Sequence, residues 1–189
     1  MPNMTITKKT TDLNTLFNDV KEVYFKNSEI KTSDLGEESL TGLMELPVLK
    51  DGVNFDTGSA DITPVKLTTG ATWTSKVSKG DPDISFQVAS IDAEVNDLLM
   101  SKGNPIAAAK GLIDGKTYKG AAYSLAPKKV VGSLVVKSED GQSFIILPKV
   151  EIYSSFVAAD GDNPAYFNLS VTPMENSEGS GIMILSLSE

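Results

Sequence analysis

The sequence predicts a mainly β protein, an antiparallel β-sandwich or barrel-like sheet with one main α-helix at about 92–102. Three observations carry this. Short runs rich in Val, Ile, Phe and Tyr alternate apolar with polar residues, most cleanly in "DISFQVAS" and "PAYFNLSVTPM". Asp-Gly pairs at 51–52, 114–115 and 140–141 punctuate these runs as turns do. One stretch, "DAEVNDLLMSKG", has the acidic start, apolar stripe and lysine-glycine end of a helix.

Taken in order, residues 11–26 place Leu13, Leu16, Phe17, Val20 and Tyr24 at helical spacing, which predicts a short amphipathic helix. Val23, Tyr24 and Phe25 would equally suit the start of a strand. Residues 28–42 are polar and acidic, an extended connection. The expected organisation is therefore an N-terminal arm, 1–42, that packs on the core or docks on a neighbouring subunit, followed by a single domain, 43–189. Leu43–Leu49 reads as a strand stopped by Asp51-Gly52.

Residues 51–80, rich in Thr, Gly, Asp and Ser, read as a long projecting loop or hairpin. In "TTGATWTSKV" the face carrying Trp73, Ser75 and Val77 and the face carrying Thr72, Thr74 and Lys76 are both weakly apolar, unlike a core strand. Ile84, Phe86 and Val88 point inward from the next strand. In the main helix Val95, Leu98 and Leu99 form the buried stripe, with Lys102 in the last turn and Gly103 as the stop. Asn104 as N-cap and Pro105 at the first helical position predict a short second helix at about 104–110. Hairpins around Asp114-Gly115 and Asp140-Gly141 follow, then a strand with Phe167, Leu169 and Val171 inward, and a last strand in "GIMILSLSE".

Composition excludes more than it selects. The 189 residues suit one domain that buries about 70% of its unfolded surface. There is no cysteine, no histidine and no arginine; all 17 basic residues are lysine. Ser-His-Asp, Cys-His and His-zinc chemistry are thereby excluded, as is bidentate phosphate clamping. A net charge of −8 opposes a nucleic-acid-binding surface, yet suits the wall of a conduit that must not hold DNA. No apolar run approaches the ~20 residues that span a bilayer, and "MPNMTITKKTTD" lacks an apolar signal core, so neither membrane insertion nor export is expected.

One short string does name a chemistry. Phe55-Asp56-Thr57-Gly58-Ser59 matches the catalytic signature of aspartic proteases, and Val130-Val131-Gly132 imitates the element that supports their loop. Such catalysis needs two carboxylates sharing a proton, and no second Asp-Thr-Gly or Asp-Ser-Gly occurs. The dyad would have to form across a homodimer. The alternative is turn chemistry: an aspartate bonding its own backbone, then a glycine free to take positive φ. Asp81-Pro82-Asp83 and "DGDNP" at 160–164 carry oxygen ligands of the kind calcium takes, but lack an EF-hand's glycine and distal glutamate and read as turns. Trp73, the only tryptophan, with Tyr118, Tyr123, Tyr153 and Tyr166 could make a sugar-stacking platform, or fill a core gap or anchor an interface. The glycines form neither a dinucleotide fingerprint nor a P-loop.

The order of elements is itself informative. A strand, the Thr/Gly-rich 51–80 segment, "DISFQVAS", "DAEVNDLLMSKG", a hairpin-rich second half and the ending "YFNLSVTPMENSEGSGIMILSLSE" resemble the major tail tube proteins of bacteriophages over residues 43–189. The resemblance implies a non-enzymatic subunit that assembles into stacked, hexameric rings located in the virion tail. Its partners would be copies of itself and other tail proteins, with DNA as transiting, non-specific cargo and no cofactor or metal. It places the 92–102 helix on the outside of the sheet. It makes 51–80 the stacking loop, with Phe55, Asp56, Thr57, Leu67, Thr72, Trp73 and Thr74 as candidate inter-ring or inter-subunit contacts. A β-sandwich adhesion or carbohydrate-binding module is the alternative, with the protease behind it.

Overall fold

A computed structural model of the chain describes residues 17, 19–36, 40–89, 93–112, 114–158 and 164–187. The fold is mainly β and antiparallel, with one helix among the described residues. The strands are β1 (Val20–Lys26), β2 (Leu43–Leu46), β3 (Val48–Asp56), β4 (Asp61–Lys66), β5 (Thr72–Ser78) and β6 (Asp83–Ala89). After the helix α1 (Ala93–Leu99) come β7 (Ser101–Ala109), β8 (Tyr118–Ser124), β9 (Lys129–Ser138), β10 (Ser143–Val157), β11 (Tyr166–Met174) and β12 (Met183–Ser186).

The main sheet has the order β2-β1-β9-β10-β11-β6-β3, with β12 also paired to β10. Its two edge strands, β2 and β3, are separated in sequence by Pro47 alone. The ends of the order are therefore tied together, and the sheet must curl round into a barrel-like body. Backbone bonding reinforces the closure, since the Ala89 amide donates to the Pro47 carbonyl at 2.8 Å.

Alternation decides the interior. Ile84, Phe86 and Val88 of β6 are buried as their spacing predicts, and Phe167, Leu169 and Val171 of β11 meet them across the ladder. Val23 and Phe25 of β1, Leu134 and Val136 of β9 and Leu147, Val150 and Ile152 of β10 complete one cluster. On the far face Val135 and Ile146 pack against Ile30, with Tyr24, Phe144 and Met183 around them. That smaller cluster is why "VVGSLVV" is buried almost continuously: the 28–35 connection covers the second face of β9 and β10.

Several expectations are corrected. The helix predicted within 11–26 gives way to β1, in the interior of the sheet; residues 11–16 and 18 lie outside the described residues. The β-branched and aromatic residues Val23, Tyr24 and Phe25 outweigh helical spacing because β9 and β2 supply ladder partners on both sides. The connection after it contains a 3-10 turn at Thr32–Leu35. Asp51-Gly52 does not stop a strand. It lies inside β3, at a register shift between Val48 and Val53, where a Cβ on Gly52 would stand 2.5 Å from the Gln87 Cβ.

The main helix ends at Leu99, so Lys102 and Gly103 belong to β7; residues 90–92 are outside the described set. Val95 and Leu99 join the main interior cluster, with Leu98 packed against it, so the helix caps the core instead of lying outside the sheet. The second helix expected at 104–110 is absent: those residues continue β7, paired with β8. Pro105 is tolerated because the register shifts between it and Lys102. The turns at Asp114-Gly115 and Asp140-Gly141 stand as predicted, each glycine at positive φ (69° and 72°).

A polar hub fixes the connection between β11 and β12. The buried Asn176 side chain donates from Nδ2 to the Ile30 carbonyl at 2.9 Å and accepts at Oδ1 from the Glu178 and Ser180 amides. Glu178 accepts from the amide and hydroxyl of Thr32, and Ser177 donates to Glu29 at 2.6 Å. Replacing Asn176 with Ala strands the Ile30 carbonyl and two amides, and should cost about 2–3 kcal/mol. Urea denaturation of Asn176→Ala against the parent reads that loss directly.

A second cluster offers a pH probe. The Tyr24 hydroxyl donates to Glu22 at 2.6 Å, and Lys137 Nζ bonds the same carboxylate at 2.9 Å. The bond to Glu22 pushes the Tyr24 phenol up to about 12, helped by partial burial. The same bond, followed by Lys137, holds Glu22 below its ordinary value. A raised phenol contributes stability that is present below the unfolded tyrosine pKa of about 10 and is lost as pH rises toward 12. Glu22 contributes in the opposite sense, with stability lost as pH falls through its lowered value. Ultraviolet titration should find Tyr24 ionising near 12 in the parent chain and clearly lower in Glu22→Gln, although burial and Glu45 still hold it above an ordinary tyrosine.

Candidate assembly surfaces

The functional question turns on two hairpins outside the main sheet. β4 and β5 form one, joined through a tip in which Leu67 and Ala71 are bonded and Gly70 takes φ 82°. β7 and β8 form the other. They leave the barrel from opposite ends of β6: the first between the end of β3 and the start of β6, the second after the helix that follows β6. Residues 59–79 are exposed throughout, so the projecting hairpin expected within 51–80 is present, although 51–56 belong to the sheet.

The hairpin is attached by a tight neck. The Gly58 amide donates to Asp56 Oδ1 at 2.8 Å, and Gly58 takes φ 82°. A Cβ on Gly58 would stand 2.6 Å from the Asp81 carbonyl oxygen, and one on Gly80 would overlap the Ser59 carbonyl oxygen. The two chains of the neck thus cross at backbone contact, which only glycine permits. Asp56, exposed, closes an Asx turn. Val130, Val131 and Gly132 sit in β9: Val130 is buried in the main cluster and Gly132 faces Phe25, whereas Val131 is exposed.

The hairpin exposes three large apolar side chains. Ile62 lies opposite Val77, and Trp73 sits further along β5 at the register shift; their exposures are 65%, 62% and 71%. All three side chains stand in solvent on this chain. Of the other candidate contacts, Leu67, Thr72 and Thr74 share this hairpin. Phe55, Asp56 and Thr57 lie at its base.

The aromatic residues of the expected platform stand on separate elements. Tyr118 and Tyr123 stand on β8, Tyr153 on β10, and Tyr166 is buried in β11. Tyr123 is engaged by Asp97 at 2.7 Å and Tyr118 by Asp114. Among the described residues the aromatic rings in contact are Phe156 and Phe167, centroids 5.3 Å apart.

Beside the neck is a surface that sequence reading did not anticipate. β12 continues the line of β11 along β10, but β6 runs alongside β11 only. Among the described residues the outer edge of β12 has no partner strand. Next to it opens a groove of about 890 Å³ lined by Phe55, Asp56, Ile145, Met174, Glu175 and Ile184, among others. Ile184 and Leu187 are 71% and 69% exposed. A run of branched apolar residues near the C-terminus was visible; that its edge is open follows from the length of β6, a long-range property.

No family model matches the chain, and no curated protein matches it. Among the described residues no helix is long and apolar enough to cross a membrane.

Proposed function

We propose that this protein is a structural subunit that builds a homopolymeric tube, stacking rings of copies into a conduit of the phage-tail type. The observation that supports it most is the pair of exposed hairpins leaving opposite ends of β6, one with Ile62, Trp73 and Val77 bare. A subunit with two different contact surfaces propagates; one with a single self-complementary surface stops at a dimer. The open β12 edge fits the same reading, because unpaired edges in soluble monomers are usually blunted or covered. The acidic balance suits a lumen that passes DNA without retaining it. Hexameric rings, a virion location and association with other tail proteins belong to this proposal.

Electron microscopy across a concentration series tests it. Rings or tubes are the expected result, and particles that remain monomeric at every concentration would overturn it. The reading as a carbohydrate-binding module draws on the same exposed Trp73. It requires glycan binding that Trp73→Ala abolishes, with assembly unaffected.

A further inference from the structure

We propose that the β4–β5 hairpin of one copy docks on the open β12 edge of a second copy, with β5 adding to β12 as the next strand. This rests on the assembly reading and identifies the surface that receives the hairpin.

The two surfaces match in kind. β12 offers unpaired backbone beside an apolar groove, with Ile184 exposed along it. The hairpin offers Trp73 and Val77 on β5, exposed on the copy that carries them. Strand addition supplies backbone bonds, and alternate side chains entering a groove supply selectivity.

Proline selects which hairpin strand pairs. Pro64 sits inside β4 opposite Ser75 and has no amide to donate, so β4 presents a broken outer edge. β5 contains no proline, and every residue of its outer edge retains its N–H. Charge agrees with this choice. Asp56 and Glu175 outnumber Lys79 among the groove residues, whereas the hairpin strands carry Lys66 and Lys76 against Asp61.

Because the hairpin and the groove are different surfaces, the contact is heterologous. Each copy gives one surface and accepts the other, so the interface repeats until a ring closes or a filament grows. An interface of this kind predicts complementation between two defective variants.

Trp73 is the chain's only tryptophan, so its fluorescence reports the hairpin alone. Trp73→Glu spoils the hairpin and leaves the β12 edge intact; Ile184→Lys does the reverse. In the parent chain, Trp73 emission should move to shorter wavelength as concentration rises. Each variant alone should associate about 30-fold more weakly or worse. Mixed in equal amounts they should form a dimer that grows no further. Trp73 of the Ile184→Lys copies should then recover the shorter-wavelength emission, since the Trp73→Glu partner contributes none. Circular dichroism checks that each variant is folded, and Leu187→Lys substitutes for Ile184→Lys if that variant is not. Parent assembly combined with a mixture that stays monomeric would overturn the docking and leave the tube reading standing. Parent chains that never associate would overturn both.

Discussion

Gly132→Ala is expected to be among the most damaging single-methyl substitutions in this protein. Gly132 is buried in β9, and a Cβ there would lie 2.5 Å from two ring carbons of Phe25 and would overlap the Lys26 carbonyl oxygen. Phe25 cannot withdraw, because it is buried in the main cluster, and Lys26 is held by its ladder to Leu43 and Ser133. Relief therefore requires β1 to move off β9 at the centre of the sheet. Overpacking of this kind costs about 3 kcal/mol, a large share of the ~5–15 kcal/mol of a typical domain. Thermal and urea denaturation should show the loss, and Gly120→Ala should show almost none, since a Cβ there meets nothing within 4 Å. Equal stabilities for the two variants would refute the packing argument.

Gly80→Ala should act on assembly more than on the barrel. The neck brings Gly80 against the Ser59 backbone and Gly58 against Asp81, and no flexible side chain stands between them. A methyl at Gly80 must spread the neck and re-aim the hairpin, displacing Trp73 at its far end. The main sheet does not pass through this contact, so its unfolding midpoint should shift little. Association should weaken by at least tenfold, about 1.4 kcal/mol, as measured by sedimentation of Gly80→Ala against the parent. Unchanged association would mean that the neck does not set the direction of the hairpin for assembly.

Both effects come from contacts between residues far apart in sequence, and this marks the limit of what could be read beforehand. Asp56-Thr57-Gly58 was legible as a turn, because an Asx bond and a positive-φ glycine are local chemistry. So were the inward faces of β6 and β11 and the turns at Gly115 and Gly141. The short helix predicted at 104–110 was not recoverable. Asn104-Pro105 followed by alanines satisfies local rules for a helix start, and only pairing with β8 turns the stretch into a strand. Asp51-Gly52 failed for a similar reason: its dipeptide favours a turn, but Gln87 on the neighbouring strand holds it in a bulge.

The candidate surfaces divide the same way. Trp73, Thr72 and Thr74 lie in a run whose two weakly apolar faces do not suit a core, but they and Leu67 became candidate contacts only through the tail-tube resemblance. The groove beside β12 could not be singled out, since it exists only because β6 stops alongside β11 while β10 runs on for 15 residues. The sequence by itself determined the β class, the hairpin turns, the projecting segment and the exclusion of histidine, cysteine and arginine chemistry. Each of these follows from composition or from interactions within a few residues. Tertiary structure alone decided the closure through Pro47, the fate of 104–110 and the open edge of β12. Those depend on which strands find partners across the whole chain, and local propensities of a fraction of a kcal/mol per residue yield to a complete ladder.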